Sequence, residues 1–438
     1  MIVKCPHDMY SQYRVLQDEA NTRKQVQAGL QGSEEQKRLY YLDWLRVLAV
    51  LGVFYAHAAS IFDMLYWQMN ASRGITLVIF GTEWGMALFF FLAGASAWFS
   101  LGSRTSRQFI TERFVRLVIP FVIGVILLSP PQAYLLDVGL SRYHGSFLQY
   151  YTSFFAHVHL SLNPQILAAY GFHLWFLAFL FLYSVLALTF FLYLRRPSGQ
   201  SALARLAGVC GRRGGIYLFL LPLALIQVAL QPVFPVYQGW TDFLSWFVYF
   251  VYGYLFLSSA RLNRAIRQQA WIAFCIGAVS LITLLATTYG HGFLSLWTET
   301  PSYSIRYELY QLLFSITAWS WMIFVVYFGM RFLNVSNKLI QYGNEAVLPF
   351  YVLHYAVIVA MAYFFLPWHV DLVAKFLLVS TLSLAVTLAL YEGLIRRFNI
   401  SRRLFGMKLK KRKGRTLEKQ YEDDDHSLQR DDIRPVGE

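Results

Sequence analysis

The sequence predicts an all-α polytopic membrane protein, a bundle of about ten transmembrane helices with both termini in the cytoplasm. Two features of the composition lead to this fold class: 57% of the 438 residues are hydrophobic and only 14% are charged. A soluble domain carries about 25% charged residues. The third observation is that lysine and arginine gather in every second segment between the apolar stretches.

Several apolar stretches are long enough to cross a membrane, since a transmembrane helix needs about 20 mostly apolar residues. The first of them follows a long polar segment, which argues against a cleaved signal peptide. The predicted stretches are 41–63, 75–101, 117–136, 170–194, 215–231, 240–258, 270–290, 309–330, 345–366 and 371–394.

The distribution of lysine and arginine predicts the orientation of the chain. Of the 38 such residues, 33 fall on the side of the N-terminus and three, Arg73, Arg142 and Arg306, on the opposite side. The other two, Arg46 and Lys375, lie inside apolar stretches. Positive residues stay in the cytoplasm during insertion, so we expect a multi-pass protein of the cell membrane with both termini inside. The net charge of +14 therefore reflects topology and does not indicate nucleic-acid binding.

The chain divides into three parts by composition. Residues 1–38 form a polar cytoplasmic arm, and residues 39–397 hold all the apolar stretches. Residues 398–438 form a tail that is first basic and then acidic. We expect the tail to be disordered, with its basic half resting on anionic lipid headgroups.

Neither a metal ion nor a bound cofactor is predicted. The three cysteines lack the spacing of a metal site, and no glycine-rich nucleotide loop occurs. Three histidines, His144, His157 and His159, share the external loop 137–169, where we expect them to be solvated.

Ionisable residues inside the apolar stretches are the best candidates for function, because a charge at the bilayer centre costs about 2.5–3.5 kcal/mol on insertion scales. The first stretch contains Asp43, Arg46 and His57. The spacing of Arg46 and His57 is close to three full turns, which places them on one helix face about 16 Å apart. Asp43 lies one turn before Arg46 and can pair with it. We expect Arg46 near the inner surface and His57 in the outer part.

Glu83 of the second stretch is expected at the depth of His57, because the second helix runs in the opposite direction. A carboxylate beside an imidazole can orient it as a general base. The alternative is a purely structural hydrogen bond between two helices. The sequence leaves both interpretations open.

Two further histidines and an arginine pair are candidate binding residues. His173 and Trp175 open the fourth stretch, and His354 lies deep in the ninth. An interfacial anchor for His173 and a structural hydrogen bond for His354 are the competing interpretations. Arg113 and Arg116 lie one turn apart at the cytoplasmic start of the third stretch. They can bind phosphate groups or simply follow the positive-inside rule.

Taken in order, these motifs resemble the membrane acyltransferase 3 family. The resemblance covers about residues 38–400 and is closest to the glucan biosynthesis protein C branch, whose members succinylate periplasmic glucans. It rests on Tyr41-Leu42-Asp43-Trp44-Leu45-Arg46, Arg46-x10-His57, Phe89-Phe90-Phe91-Leu92-Ala93-Gly94, Arg113-Phe114-Val115-Arg116-Leu117-Val118-Ile119-Pro120, His173-Leu174-Trp175-Phe176-Leu177, Phe350-Tyr351-Val352-Leu353-His354 and Leu390-Tyr391-Glu392.

The resemblance implies that residues 39–397 are an acyltransferase domain. Such a domain transfers an acyl group, acetyl or succinyl, from cytoplasmic acyl-CoA to a hydroxyl of an envelope carbohydrate on the outer side. It also implies that His57 and Arg46 are essential and that Arg113 and Arg116 face the CoA. We add Glu83 to the catalytic group. To the substrate-binding residues we add His173, Trp175 and His354.

One departure from the family concerns the end of the chain. Some family members carry an extracytoplasmic esterase-like domain after the membrane part, whereas here only the charged cytoplasmic tail follows. Either a separate extracytoplasmic acceptor protein or direct transfer to the glycan must then complete the reaction. His57 can act as the base or carry the acyl group transiently, and the sequence does not separate these routes.

Two other classes of function compete with acyl transfer. A transporter or exporter of an envelope precursor would also place ionisable residues in its helices. However, the sequence lacks the matching pairs of broken helices that many transporters show. A sensor or scaffold without a site leaves Arg46, His57 and Glu83 unexplained. We therefore favour the acyltransferase.

Overall fold

The computed structural model describes residues 39–66, 84–156, 162–289, 300–365 and 367–410. Within these ranges the chain forms helices, turns and loops and no strand. The helices are α1 Tyr40–Tyr66, α2 Trp84–Ser103, α3 Ser106–Leu127, α4 Ser129–Gly139, α5 Phe147–Ala156, α6 Ile166–Leu186, α7 Leu188–Leu194, α8 Pro197–Cys210, α9 Gly215–Leu230, α10 Trp240–Ser258, α11 Ala260–Tyr289, α12 Ile305–Phe332, α13 Lys338–Phe365, α14 Leu372–Ile395 and α15 Asn399–Leu404.

The predicted fold class, an all-α polytopic membrane protein, is confirmed. Among the described residues, seven helices are long and apolar enough to cross a membrane, or eight if α3 and α4 together form one bent span. Every stretch predicted from the sequence overlaps a helix, but α9 is shorter than a full span. The count of ten spans and the cytoplasmic location of the termini remain predictions.

The third predicted stretch, 117–136, is not one straight helix. Helices α3 and α4 meet at Leu128 with a bend of 41°. Pro130 and Pro131 occupy the first turn of α4. Proline has no backbone N–H and its ring collides with the preceding turn, so the helix cannot run straight through this pair. The second predicted stretch also differs, because its first residues, 75–83, lie outside the described part of the chain.

The tightest helix crossing is that of α2 and α10, where two glycines face each other's backbone. A Cβ on Gly94 would overlap the carbonyl oxygen of Phe250, and a Cβ on Gly253 would overlap that of Phe91. Small residues at such crossings let two backbones approach closely, which is how many membrane helices associate. Helix α2 also contacts α1 through Ser96 and Arg46, and α6 through Phe90 and Phe176.

Helices α1 and α13 run in the same direction and touch at two levels. Near their N-terminal ends, the guanidinium of Arg46 lies 3.3 Å from the side-chain oxygen of Asn344. Further along both helices, the ring centroids of His57 and Tyr355 lie 4.9 Å apart. The first and ninth of ten spans would run parallel. The two levels of contact define an Arg46 level and a His57 level, to which the candidate residues can be assigned.

Candidate active site

A cavity of about 500 Å³ lies at the His57 level, between α1, α2, α6, α13 and the loop that precedes α10. Its volume falls within the range of about 300–1,000 Å³ that is usual for small-molecule sites. His57 and Ser60 supply polar groups to the wall. Most of the remaining wall is aromatic and is formed by Phe89, Phe172, Trp175, Phe176, Tyr237, Tyr351 and Tyr355.

Three histidines from three helices meet at this level. The ring centroids of His57 and His354 lie 5.5 Å apart, those of His57 and His173 lie 6.1 Å apart, and those of His173 and His354 lie 4.9 Å apart. The sequence predicted each of them as a candidate but gave no reason to place them together. They form one cluster, with the ring of Tyr355 packed against both His57 and His173.

Backbone carbonyls fix the rings of His173 and His354. The Nε2 atom of His173 lies 3.0 Å from the carbonyl oxygen of Tyr351, and the Nδ1 atom of His354 lies 2.7 Å from the same oxygen. A carbonyl can only accept, so these two nitrogens carry the protons. The opposite nitrogens, Nδ1 of His173 and Nε2 of His354, are buried and have no hydrogen-bond partner among the described residues.

His57 differs from the other two histidines in its exposure. His57 and His173 both line the cavity, but His173 is only 5% exposed and His354 is 0% exposed, whereas His57 is half-buried. A general base must reach the proton that it removes. Of the three imidazoles, His57 is therefore the one best placed to act on a molecule in the cavity.

The chain breaks its helical path immediately before His173. Phe172 has φ = 47°, which is rare for a residue with a side chain, and a short 3-10 turn follows it. Strain of this kind is maintained by surrounding structure and clusters at functional sites. The break aims His173 across the cavity at α13. One turn later, Trp175 lies on the cavity wall and stacks on Trp246, with 4.8 Å between ring centroids.

The Arg46 level is a hydrogen-bonded network that joins three helices. Arg46 lies 3.2 Å from the Asp43 carboxylate, which confirms the contact predicted from their spacing. The same guanidinium donates to the hydroxyl of Ser96 on α2 at 2.7 Å and to Asn344 on α13. The sequence analysis missed Ser96 and Asn344. Neither residue has a neighbour in sequence that signals this contact.

Arg113 and Arg116 have different contacts, although their charges lie close enough to interact. A π-helical turn begins at Phe114 and shifts the register of α3 between them. Arg113 lies over the ring of Phe109 and within electrostatic range of Arg46. Arg116 is exposed, donates to the carbonyl of Gly406 at 3.3 Å and pairs with Glu112. Turns of this type are frequent at functional sites.

Two predictions about site residues cannot be compared with the structure. Glu83, the proposed partner of His57, lies outside the described residues, as do His157 and His159 of the external loop. Tyr355, which packs on two of the three histidines, was not among the predicted site residues, although it directly follows His354. Within the described ranges, no group of three or more His, Cys, Asp or Glu side chains is placed to hold a metal ion.

The site combines the His57 imidazole, a candidate general base, with a mostly aromatic cavity wall. An imidazole on an aromatic cavity wall can take a proton from a hydroxyl. Aromatic walls offer flat faces to sugar rings or to an acyl group. The second level, that of Arg46, begins several helical turns away on the same helices and suits an anionic ligand.

Comparison with known proteins supplies the family. The family profile described as an acyltransferase domain matches residues 39–392, which is most of the chain and includes both levels of the site. No curated protein matches the sequence. The match confirms the predicted membership of the acyltransferase 3 family. It does not show the predicted glucan biosynthesis protein C branch. The chain therefore belongs to the acyltransferase 3 family and is a multi-pass membrane acyltransferase.

Proposed function

We propose that the protein transfers an acyl group, acetyl or succinyl, from cytoplasmic acyl-CoA to a hydroxyl of an envelope carbohydrate on the outer side of the cell membrane. The observation that carries this proposal is the separation of the two polar levels along α1. Arg46 belongs to a polar network within electrostatic range of Arg113, and His57 lies on an aromatic cavity. The donor is anionic and the acceptor is a sugar, so one level suits each substrate.

The proposed chemistry assigns the base role to His57. A sugar hydroxyl attacks the thioester carbonyl of acyl-CoA while the His57 imidazole takes the hydroxyl proton. A C–O bond forms, the C–S bond breaks, and the thiolate of CoA leaves and takes up a proton. The tetrahedral oxyanion needs hydrogen-bond donors. Trp175, which lies on the cavity wall, is the proposed side-chain donor, because the hydroxyl of Tyr351 already donates to the carbonyl of His173.

Arg46, Arg113 and Arg116 serve the donor in this proposal. CoA carries several phosphates and is made in the cytoplasm, so it reaches a membrane enzyme from the inner surface. Arginine binds phosphate with two parallel hydrogen bonds. Glu83 is proposed to orient His57, while His173 and His354 complete the acceptor side of the cavity.

The aromatic wall of the cavity is the reason for proposing a carbohydrate acceptor. Aromatic rings such as Trp175 and Tyr355 give a sugar ring flat surfaces against which it can pack. A glucan acceptor and a succinyl group would agree with the branch that the sequence resembles. A separate extracytoplasmic acceptor protein is needed if the acyl group is not passed directly to the glycan.

The test compares envelope glycans from cells with and without the protein by mass spectrometry. The mass difference identifies the acyl group and its carrier together, and we expect it on a carbohydrate. The same cells expressing His57→Ala should show the glycans of the deleted strain. His144→Ala is the matched control, because His144 is exposed in the loop between α4 and α5 and should leave the glycans unchanged. Identical glycans with and without the protein would contradict the proposal.

A further inference from the structure

The chain beyond the family match folds back against the membrane domain. The match ends at residue 392, and residues 396–410, the return segment, continue from it as α15 and an extended stretch. Gly406 lies at the fold with φ = 70°, and a Cβ there would lie 2.6 Å from the carbonyl oxygen of Arg116. A tight left-handed turn therefore presses the return segment against α3.

Arg402 holds the return segment together. Its guanidinium donates to the carbonyl of Lys408 at 2.7 Å, and it pairs with Glu345 of α13 at 3.0 Å. The Arg402 side chain is only 7% exposed, so removal of Glu345 would leave a buried charge without its ionic partner. The Asn399 side chain joins the two ends of the return segment through two hydrogen bonds to the backbone of Lys410.

An apolar cluster fixes the same segment to the bundle. Met407 is buried with Ala346 and Leu353 of α13 and with Tyr391 and Ile395 of α14. Phe405 packs against this cluster from the return segment. Ionic and apolar contacts thus hold the segment in one position.

A groove of about 460 Å³ separates the return segment from α3. One wall is formed by Met407 and Lys408, and the other by six residues of α3: Arg107, Gln108, Thr111, Glu112, Val115 and Arg116. Glu112 is the acidic residue of the groove and is already paired with Arg104 at 2.9 Å and Arg116 at 3.5 Å. The groove therefore carries an excess of positive charge contributed from both walls.

We propose that the return segment is the second wall of the donor site and that Lys408 binds a phosphate of acyl-CoA across the groove from Arg107 and Arg116. This inference rests on the proposed function, since it takes CoA as the donor. Phosphate is the anion whose charge matches three basic groups around one groove. The donor site would then include a residue that lies outside the family domain.

The experiment measures CoA affinity of the purified full-length protein in nanodiscs made of zwitterionic lipid. Lys408→Gln should weaken CoA binding about fivefold, the size expected for loss of one exposed charge contact. Lys410→Gln is the matched control, because it removes the same charge from the same segment but does not line the groove. Lys408→Arg keeps the positive charge and should bind CoA like the wild type. A purely structural role of Lys408 would not predict this recovery.

Each other outcome has a defined meaning. Equal CoA affinities for Lys408→Gln and Lys410→Gln would overturn the inference and leave the proposed function intact. A wild-type protein that does not bind CoA would overturn both. A second set of nanodiscs contains anionic lipid. If Lys408→Gln changes only the binding of that lipid, the groove holds a headgroup phosphate and the inference is wrong.

Discussion

His173 and Tyr351 hydrogen-bond to each other in both directions. Nε2 of His173 donates to the carbonyl of Tyr351, and the hydroxyl of Tyr351 donates back to the carbonyl of His173. These two bonds connect the helical break in α6 to the middle of α13. The orientation of His173 therefore depends on α13.

Tyr351→Phe tests this reciprocal contact. The ring remains, but the buried carbonyl of His173 loses its donor, which costs about 1–3 kcal/mol. We expect a lower melting temperature and slower acyl transfer by the purified protein. Tyr363→Phe, on the same helix but away from the cluster, is the control and should change neither quantity. A Tyr351→Phe protein as stable and active as the wild type would show that the Tyr351 hydroxyl contributes nothing to the position of His173.

The crossing of α2 and α10 gives a second prediction. Gly94→Ala places a methyl group against the backbone carbonyl of Phe250, which no side-chain rotation can relieve. Overpacking of this kind costs about 1–3 kcal/mol or more, so the melting temperature should fall. Gly102→Ala lies on the same helix, and its Cβ would meet only the Arg195 side chain at 3.8 Å. If both variants melt at the same temperature, the two backbones are not in tight contact.

The parts of the structure that the sequence predicts well are those governed by local pattern. The apolar runs predict where the helices lie, and the spacing of Asp43 and Arg46 predicts their ion pair. Both follow from the geometry of a single helix. The bend at Leu128 has a local signal too, in the proline pair that follows it, although 117–136 was predicted as one uninterrupted stretch.

The parts that the sequence does not predict depend on contacts between distant segments. His57, His173 and His354 come from three helices, and only packing brings their rings together. Phe172 adopts a positive φ, a conformation that usually requires glycine, so its own residue type does not predict the strain. Packing also joins Arg402 to Glu345, although they lie far apart in the sequence. A pattern within one helix carries no information on any of these contacts.

The orientation of the chain is the third prediction. A reporter fused to the C-terminus should report a cytoplasmic location, because 33 of the 38 lysines and arginines fall on the side of the two termini. Reporters inserted between residues 140 and 145 should read as external. A fusion after residue 438 leaves the return segment undisturbed. An external reading at the C-terminus would exclude an even number of spans.

The last prediction concerns the arginine pair of α3. Replacement of both Arg113 and Arg116 by Gln should weaken CoA binding about 30-fold, since each replacement removes a charge contact worth up to about 1 kcal/mol. Replacement of both by Lys should retain the charge but lose the forked geometry, so an intermediate affinity is expected.

The matched control for this pair is the double replacement of Arg205 and Arg213 by Gln. These two arginines are exposed in and after α8, in a different part of the chain from α3. The same loss of two charges there should leave the CoA affinity unchanged, which separates a specific contact from the general attraction of a basic surface for an anion. If the Arg113 and Arg116 double-Gln protein inserts normally and binds CoA as tightly as the control, the pair directs insertion only. The phosphates would then have to bind elsewhere on the inner surface.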